Sequence, residues 1–362
     1  MLMREVWADA PGRVNLIGEH TDYHQGFVLP LAIPQRTRVH LTSRSDQRVQ
    51  ASSSAFGDET REFVVGAEMR DGTWLDYVQG VTWVLDAAAP DVSGFVVHIE
   101  SAVPLGKGLA SSAALEVSLL RALRELWALP FDDIDLARFG QRVETDFVGA
   151  PVGIMDHMAC SLAHEREALF LDTRSLSHAH VPLPAIAELV VIDSGISHRH
   201  AGGAYATRRR ESFAAAALLG VRWLRDVKDG QWDALERLPP LLARRARHVV
   251  TEHHRVSDAV DALKAGDIVR VGMLLNASHA SMRDDYDIST PDIDRLVALG
   301  RDDPDVYGAR LTGGGFGGAV VILARAGLGT DVALRILRGY HAGGSQRGSI
   351  LLPNHLHEAR TA

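Results

Sequence analysis

"PLGKGLASSAALEV", residues 104 to 117, sets Gly106 and Gly108 between a strand-like run, "GFVVHIESAV", and a helical one, "SSAALEVSLLRALREL". Glycines at such a junction let backbone approach an anion closely, and the unpaired N–H groups and dipole of a helix start favour negative charge. A nucleotide's phosphates suit the turn; a tight turn capped by Ser111 is the plain structural alternative. It is not a Walker A loop, because G-x-x-x-x-G-K-[ST] is absent and Lys107 is followed by Gly108 rather than a hydroxyl residue. The helix that follows puts Leu115, Leu119, Leu123 and Leu126 on one face.

Upstream, "FVLPLAI", "RTRVHLTSR", "RVQASSS" and "REFVV" alternate as antiparallel strands, and "WLDYVQGVTWVLDA" turns helical. Downstream come helices in "DIDLARFGQRVETDFVG" and "GIMDHMACSLA", then strands "EALFLDTRS" and "ELVVIDSGI" around the Pro-bearing "SHAHVPLPAIA". Residues 203 to 303 read as mostly helical, followed by strands "YGARLTG" and "AVVILARAG", helix "TDVALRILRGYHAG" and strand "SILLP". The pattern is α+β, with two domains expected at 1–185 and 186–362.

Composition agrees. A chain of 362 residues with 46% apolar content can bury two cores. A net charge of −8 with both signs interspersed offers no basic stripe, so no nucleic-acid partner is expected. The lone cysteine, Cys160, excludes an intramolecular disulfide and reads as a small buried hydrophobe. No leader pattern opens the chain, and no apolar run approaches the roughly 20 residues of a membrane span. A cytoplasmic protein with no membrane partner is the expectation.

Three further stretches carry chemistry. "LTGGGFGGAVVIL", 311 to 323, formally contains G-x-G-x-x-G at Gly313, Gly315 and Gly318, but leads into a strand, whereas a dinucleotide fingerprint must open a helix. A strand-to-strand hairpin closely approached by backbone or ligand fits better. "VGIMDHMAC" places Asp156 in an apolar helix start, where a carboxylate needs a partner or a task beyond capping. "PGRVNLIGEHTDYHQG", 11 to 26, sets Arg13, Asn15, Glu19, His20 and Asp22 among apolar residues; a solvated turn is the alternative to a binding loop, and Asn15 reads as a tie to the turn's own backbone. The histidine pairs at 198 and 200, 253 and 254, and 355 and 357 lack a ligand partner at metal spacing and read as solvated loops. Arg208, Arg209 and Arg210 read as a partly solvated helix.

Together, PGRVNLIGEHTDY, PLGKGLASSAALEV and LTGGGFGGA resemble the three motifs of the GHMP small-molecule kinases, and the first narrows the resemblance to their galactokinase branch. "WLDYVQGV", "VETDFVGAPVGIMDHM", "LDTRSL", "AYATRRRE" and "LLNASHASMRDDYDISTPDID" fall in the same order. The resemblance implies an N-terminal ribosomal-protein-S5-domain-2-like fold and a C-terminal ferredoxin-like α+β fold. It also implies transfer of the γ-phosphoryl group of MgATP to the anomeric hydroxyl of galactose, by a monomer.

By the same resemblance Asp156 would take the sugar's proton and Arg13 would steady the charge beside it. Ser112 and Glu144 match Mg²⁺ positions, whose oxygen donors suit a hard cation. Gly106, Lys107, Gly108, Leu109, Ala110, Ser111 and Ser112 would hold ATP phosphates, and Trp74 and Tyr77, read on one helix, match adenine-contacting aromatics whose alternative is an aromatic core stripe. Glu19, His20, Asp22, Gly153 and Tyr205 match galactose contacts, and Gly313, Gly314 and Gly315 the third motif.

Three residues depart from the pattern: Lys107 for a small residue, Ala110 for the first serine, and His157 for a glutamine. Lys107 reads as solvated; His157 could perturb its neighbour Asp156, although adjacent helical residues point different ways. Rival readings are a kinase for galactosamine, arabinose or fucose, a non-catalytic sugar and ATP sensor, and a nicotinamide-dependent dehydrogenase. The intact set Arg13, Ser112, Glu144 and Asp156 opposes the second, and the strand after Gly318 opposes the third.

Overall fold

The computed structural model describes residues 3–89, 92–196, 201–228, 232–344 and 347–353. Its strands are β1 (Glu5–Asn15), β2 (Phe27–Val28), β3 (Pro30–Ser43), β4 (Arg48–Ser53), β5 (Arg61–Val64), β6 (Phe95–Ser101), β7 (Glu167–Asp172), β8 (His178–Pro182), β9 (Ala187–Asp193), β10 (Val306–Thr312), β11 (Ala319–Arg325) and β12 (Ser349–Leu352). The helices are α1 (Leu75–Asp86), α2 (Ser111–Trp127), α3 (Asp133–Arg142), α4 (Met155–Leu162), α5 (Ala201–Leu218), α6 (Trp232–Glu236), α7 (Pro240–Lys264), α8 (Ile268–Ser281), α9 (Pro291–Asp302) and α10 (Gly329–Ala342).

The chain forms two compact units. One comprises Met1–Arg13, Ala32–Leu105 and Leu109–Glu165, the other Val14–Leu31, Gly106–Gly108 and Arg166–Ala362. This division falls after residue 165 and gives two short N-terminal segments to the second unit, unlike a single cut at 185.

The first unit is built on a five-stranded sheet ordered β1-β3-β6-β4-β5. β3 and β6 pair antiparallel, as do β4 and β5, but β4 joins β6 in parallel, so the opening strands are not all antiparallel. The apolar alternation of β3 and β4 delivers Val39, Leu41, Val49 and Ala51 to a core shared with Val78 and Val81 of α1 and Leu119, Leu123 and Leu126 of α2. Leu115, on the same face, packs partly buried at its edge. The helix read through 149 leaves α geometry at Arg142 and continues as one wide π turn, Val143–Val148, ended by Gly149 at φ 81°.

The second unit has a four-stranded sheet, β10-β11-β9-β12, and a three-stranded one, β2-β7-β8. The glycine-rich third motif is the turn of the antiparallel β10–β11 hairpin, as its sequence context required. Val190, Ile192, Val320 and Ile322 of this sheet bury against Ile293 and Leu296 of α9 and Ile336 of α10. His253 and His254 lie within α7 rather than in a loop, and His253 stacks on Phe27 at 4.3 Å. His198, His200, His355 and His357 lie outside the described residues.

Candidate active site

In the first unit β1 ends by presenting Arg13 to Asp156 in the first turn of α4. Arg13 donates from Nε to Oδ1 at 2.8 Å and from Nη2 to Oδ2 at 2.5 Å, a two-pronged pair that fixes the carboxylate plane. The guanidinium is buried while the Asp156 side chain keeps 30% of its surface. The Arg13 amide also donates to Leu109 O at 3.0 Å, and Gly12 admits that approach, because a Cβ there would lie 2.8 Å from the same oxygen.

Beside the pair, Ser112 Oγ donates to Glu144 Oε1 at 2.7 Å. Burial, with Asp156 nearby, pushes the Glu144 carboxyl up to about 7, against the opposing Ser112 bond and Arg13. Ser112 and Glu116 stand one turn apart on α2 and so share a face. From that face Glu116 Oε2 meets His157 Nε2 at 2.6 Å, and the imidazole lies 3.7 Å from Glu144 Oε1. Burial holds His157 down at about 4 and, with Glu144, pushes Glu116 well above the usual carboxylate range. His157 thus turns away from Asp156 into the protein. Gly140 of α3 makes the space, since a Cβ there would lie 2.5 Å from the ring.

Trp74 and Tyr77 do not share a helix: Trp74 precedes α1 and stacks on Phe56 at 5.6 Å, while Tyr77 is half-buried within α1. Burial and the neighbouring Glu144 and Glu116 push the Tyr77 phenol up to about 12. Ser111 does not cap α2. Ala110 takes that position at φ 59°, and its own side chain makes no bond back to the helix start. Gly153 lies half-buried two residues before α4, and Cys160 is fully buried, as a small hydrophobe should be.

In the second unit the loop after β1 is held from within. Asn15 donates to Glu19 Oε2 at 2.7 Å, and its own Oδ1 accepts the Leu29 amide at 3.3 Å, tying the turn. Glu19 also accepts from Arg310 Nη2, from Thr312 Oγ1 at 3.3 Å and from the Gly313 amide at 2.8 Å. Its carboxylate is therefore fully engaged, and its part is to anchor the loop to the third motif.

His20, at φ 62°, bonds the Tyr23 hydroxyl through Nδ1 at 2.8 Å and Gly314 O through Nε2 at 3.3 Å. Burial, reinforced by His248, holds it down at about 3, so it stays neutral. Its ring lies 5.1 Å from Tyr205, which also packs 3.4 Å from a Cβ placed on Gly314. Of the predicted galactose contacts, Asp22, Gly153 and Tyr205 are half-buried, whereas Glu19 and His20 are buried. Lys107 is only partly solvated, because its Nζ meets Asp193 Oδ2 at 2.6 Å. Gly313 stands over Gly108, with a Cβ on Gly313 falling 3.4 Å from Gly108 O, and Gly315, at φ 84°, is closed in by Ile288. The arginine run is engaged too: Arg208 Nε donates to Tyr286 O at 2.8 Å, and Arg209 lies over the Tyr23 and Phe213 rings.

Three family models match: "GHMP kinases N terminal domain" over residues 76–164, "Galactokinase galactose-binding signature" over 3–42 and "GHMP kinases C terminal" over 259–341. A galactokinase of Streptomyces coelicolor is 46% identical over 331 residues, 89% of this chain and 84% of that protein. The chain belongs to the galactokinase family. Membership makes it an ATP-dependent sugar kinase with the two GHMP kinase domains. A Haemophilus influenzae galactokinase is 44% identical over 88% of this chain and 85% of its own length. The Lactococcus lactis galactokinase, solved in complex with galactose, superposes with a TM-score of 0.92 at 30% identity, covering 96% of this chain and 92% of that one. A mevalonate kinase, at 17% identity and a TM-score of 0.66 over 96% of this chain and 98% of its own, shares the fold.

Glu116 stands inside the second motif without a role assigned to it there, and Gly140 and Arg310 lie outside all three motifs. Glu116, a lone carboxylate in "AALEVSLL", carries the same signal as Asp156.

Proposed function

We propose that this chain transfers the γ-phosphoryl group of ATP to the anomeric hydroxyl of galactose, giving galactose 1-phosphate and ADP, with Arg13 and Asp156 as its chemical pair. The observation that carries the reading is the two-bond grip of a buried arginine on a carboxylate that keeps access to solvent. Asp156 accepts the proton as the sugar oxygen bonds to phosphorus and the bond to the ADP oxygen breaks. Arg13 fixes the orientation of that acceptor and offsets negative charge around it.

Ser112 and Glu144 would hold Mg²⁺. Two oxygen donors 2.7 Å apart, one a buried carboxylate, match what a hard divalent cation takes. Bound there, the ion would supply charge neutralisation to the phosphate oxygens. Backbone N–H groups from Gly106 to Ser112 and the start of α2 would cradle phosphates, and Trp74 and Tyr77 would bound the adenine side. Asp22, His20, Gly153 and Tyr205 would read the sugar, with Glu19 keeping their loop in shape.

The test is coupled ADP release with galactose, glucose, mannose, galactosamine and arabinose. Galactose is expected to give the highest kcat/KM, and Asp156→Asn to lower kcat about 10³-fold with the melting temperature held. Faster turnover of another sugar would reassign the substrate, and full activity in Asp156→Asn would remove that residue from the chemistry.

A further inference from the structure

Lys107 is the one side chain with a charge in a turn otherwise made of glycine, with Gly106 at φ 67° on one side and Gly108 at φ 72° on the other. Its ammonium is not free to wander. It is 2.6 Å from Asp193 Oδ2, and Asp193, the last residue of β9, is 2% exposed. The other carboxylate oxygen, Oδ1, is buried with no hydrogen-bond partner. Lys107 is thus the only cation paired with this sealed carboxylate among the described residues.

Without Lys107, Asp193 would leave an unneutralised charge in a low-dielectric setting beside the glycine turn, where repulsion of another anion is strongest. With it, the pair is close to neutral. An ammonium has three N–H donors, and Asp193 accepts in one direction only; the lysine side chain retains 32% of its surface. Fixing the ammonium also removes rotamer freedom that a mobile lysine would lose on meeting a ligand.

We propose that Lys107 and Asp193 form a charge-setting pair for the nucleotide: Lys107 donates to the phosphates of ATP, and Asp193 is the positioning residue that holds it there. The proposal rests on the reading of Gly106 to Ser112 as the phosphate cradle. It gives the departure of Lys107 from the family pattern a task, and gives Asp193 one where the motifs assign none.

A charge cycle tests it with the intact enzyme, using Lys107→Ala, Asp193→Asn, the double variant and Gly106→Val. The readouts are KM for ATP, KM for galactose, kcat, ADP affinity by titration calorimetry, and melting temperature. Lys107→Ala is expected to raise KM for ATP and weaken ADP tenfold or more, because it bares Asp193. Adding Asp193→Asn to it should recover part of that loss by removing the bared charge, leaving the remainder as the missing Lys107 contact to phosphate; Asp193→Asn alone should cost least, with KM for galactose steady throughout.

Equal losses in Lys107→Ala and the double variant would show that Asp193 sets no charge there, and a lowered melting temperature with KM for ATP unchanged would leave a simple staple between turn and strand; either result overturns the proposal. Gly106→Val separates the two readings. Its added Cβ meets nothing within 4 Å beyond the two adjoining residues, so its effect comes from straining the turn at φ 67° while both members of the pair are retained. If it too leaves ATP and ADP binding unchanged, the cradle reading fails; if it weakens them while Lys107→Ala does not, only the pair fails.

Discussion

Arg13 and Arg310 are both buried arginines gripping a carboxylate, and they do opposite work. Arg310 and Glu19 are 0% and 2% exposed, and the guanidinium also donates to the backbone oxygens of Asn15 and Leu16 at 3.2 and 2.9 Å. Glu252 lies 3.8 Å from it; burial pushes that carboxyl up, but Arg255 and Arg310 overcome the effect and hold it at about 2. This is a closed pair with every oxygen of Glu19 occupied. Arg13, equally sealed, grips an Asp156 that is 30% exposed. On the proposed function, the difference teaches that an ion pair becomes chemistry when its acceptor keeps a face for substrate, and becomes architecture when it does not.

The comparison can be broken most forcefully by substituting each arginine with methionine. Arg310→Met strands the buried Glu19 carboxylate, whereas Glu252 keeps Arg255 at 2.7 Å, and should lower unfolding free energy by about 3–5 kcal/mol, read by urea denaturation. Arg13→Met should lower kcat about 10²- to 10³-fold while stability changes far less, because Asp156 can turn to water. Equal destabilisation by Arg13→Met and Arg310→Met would erase the distinction.

Acidity sharpens the same contrast. The Glu144 pKa is raised to about 7, so its charged form is lost as pH falls through that value. On the proposed reading, in which Glu144 holds Mg²⁺ through its carboxylate, the apparent Mg²⁺ requirement should rise about tenfold between pH 8 and pH 6. Glu144→Gln should weaken Mg²⁺ binding, raising the requirement at every pH, and flatten that profile; an unchanged slope would place the titrating group elsewhere. The sealed Glu252, held at about 2, should contribute no change in this range.

Smaller still is the effect of Gly140→Ala, which crowds the His157 ring and should cost about 1–3 kcal/mol. His157→Gln should leave kcat within about threefold of wild type, because the imidazole bonds Glu116 rather than Asp156. A large loss of kcat there would tie the buried histidine to the open pair.

Local pattern carries the readable part of the molecule. Strand and helix periods, the hairpin at Gly313 to Gly318 and the outlying carboxylate Asp156 all announce themselves within a few residues. The parallel seat of β4 beside β6 does not, because strand order is decided by pairing across the chain. Arg310 looks like one polar position in "GARLTGG"; its burial depends on Glu19, 291 residues away in sequence. Lys107 reads as solvated for the same reason, since Asp193 lies far along the chain. Glu116 is legible by the argument used for Asp156, and only its partner His157 lies out of local reach.

The start of α2 carries a last consequence. Ala110 occupies its N-cap position in the left-handed region, and its own side chain has no oxygen with which to close the helix end. Such an end is an open socket for an acceptor, worth about 1 kcal/mol to whatever fills it. A phosphate seated on those amides would be the missing cap, so nucleotide would act on the protein as a folding ligand as well as a substrate. Melting temperature should then climb with ADP concentration even when no sugar is present.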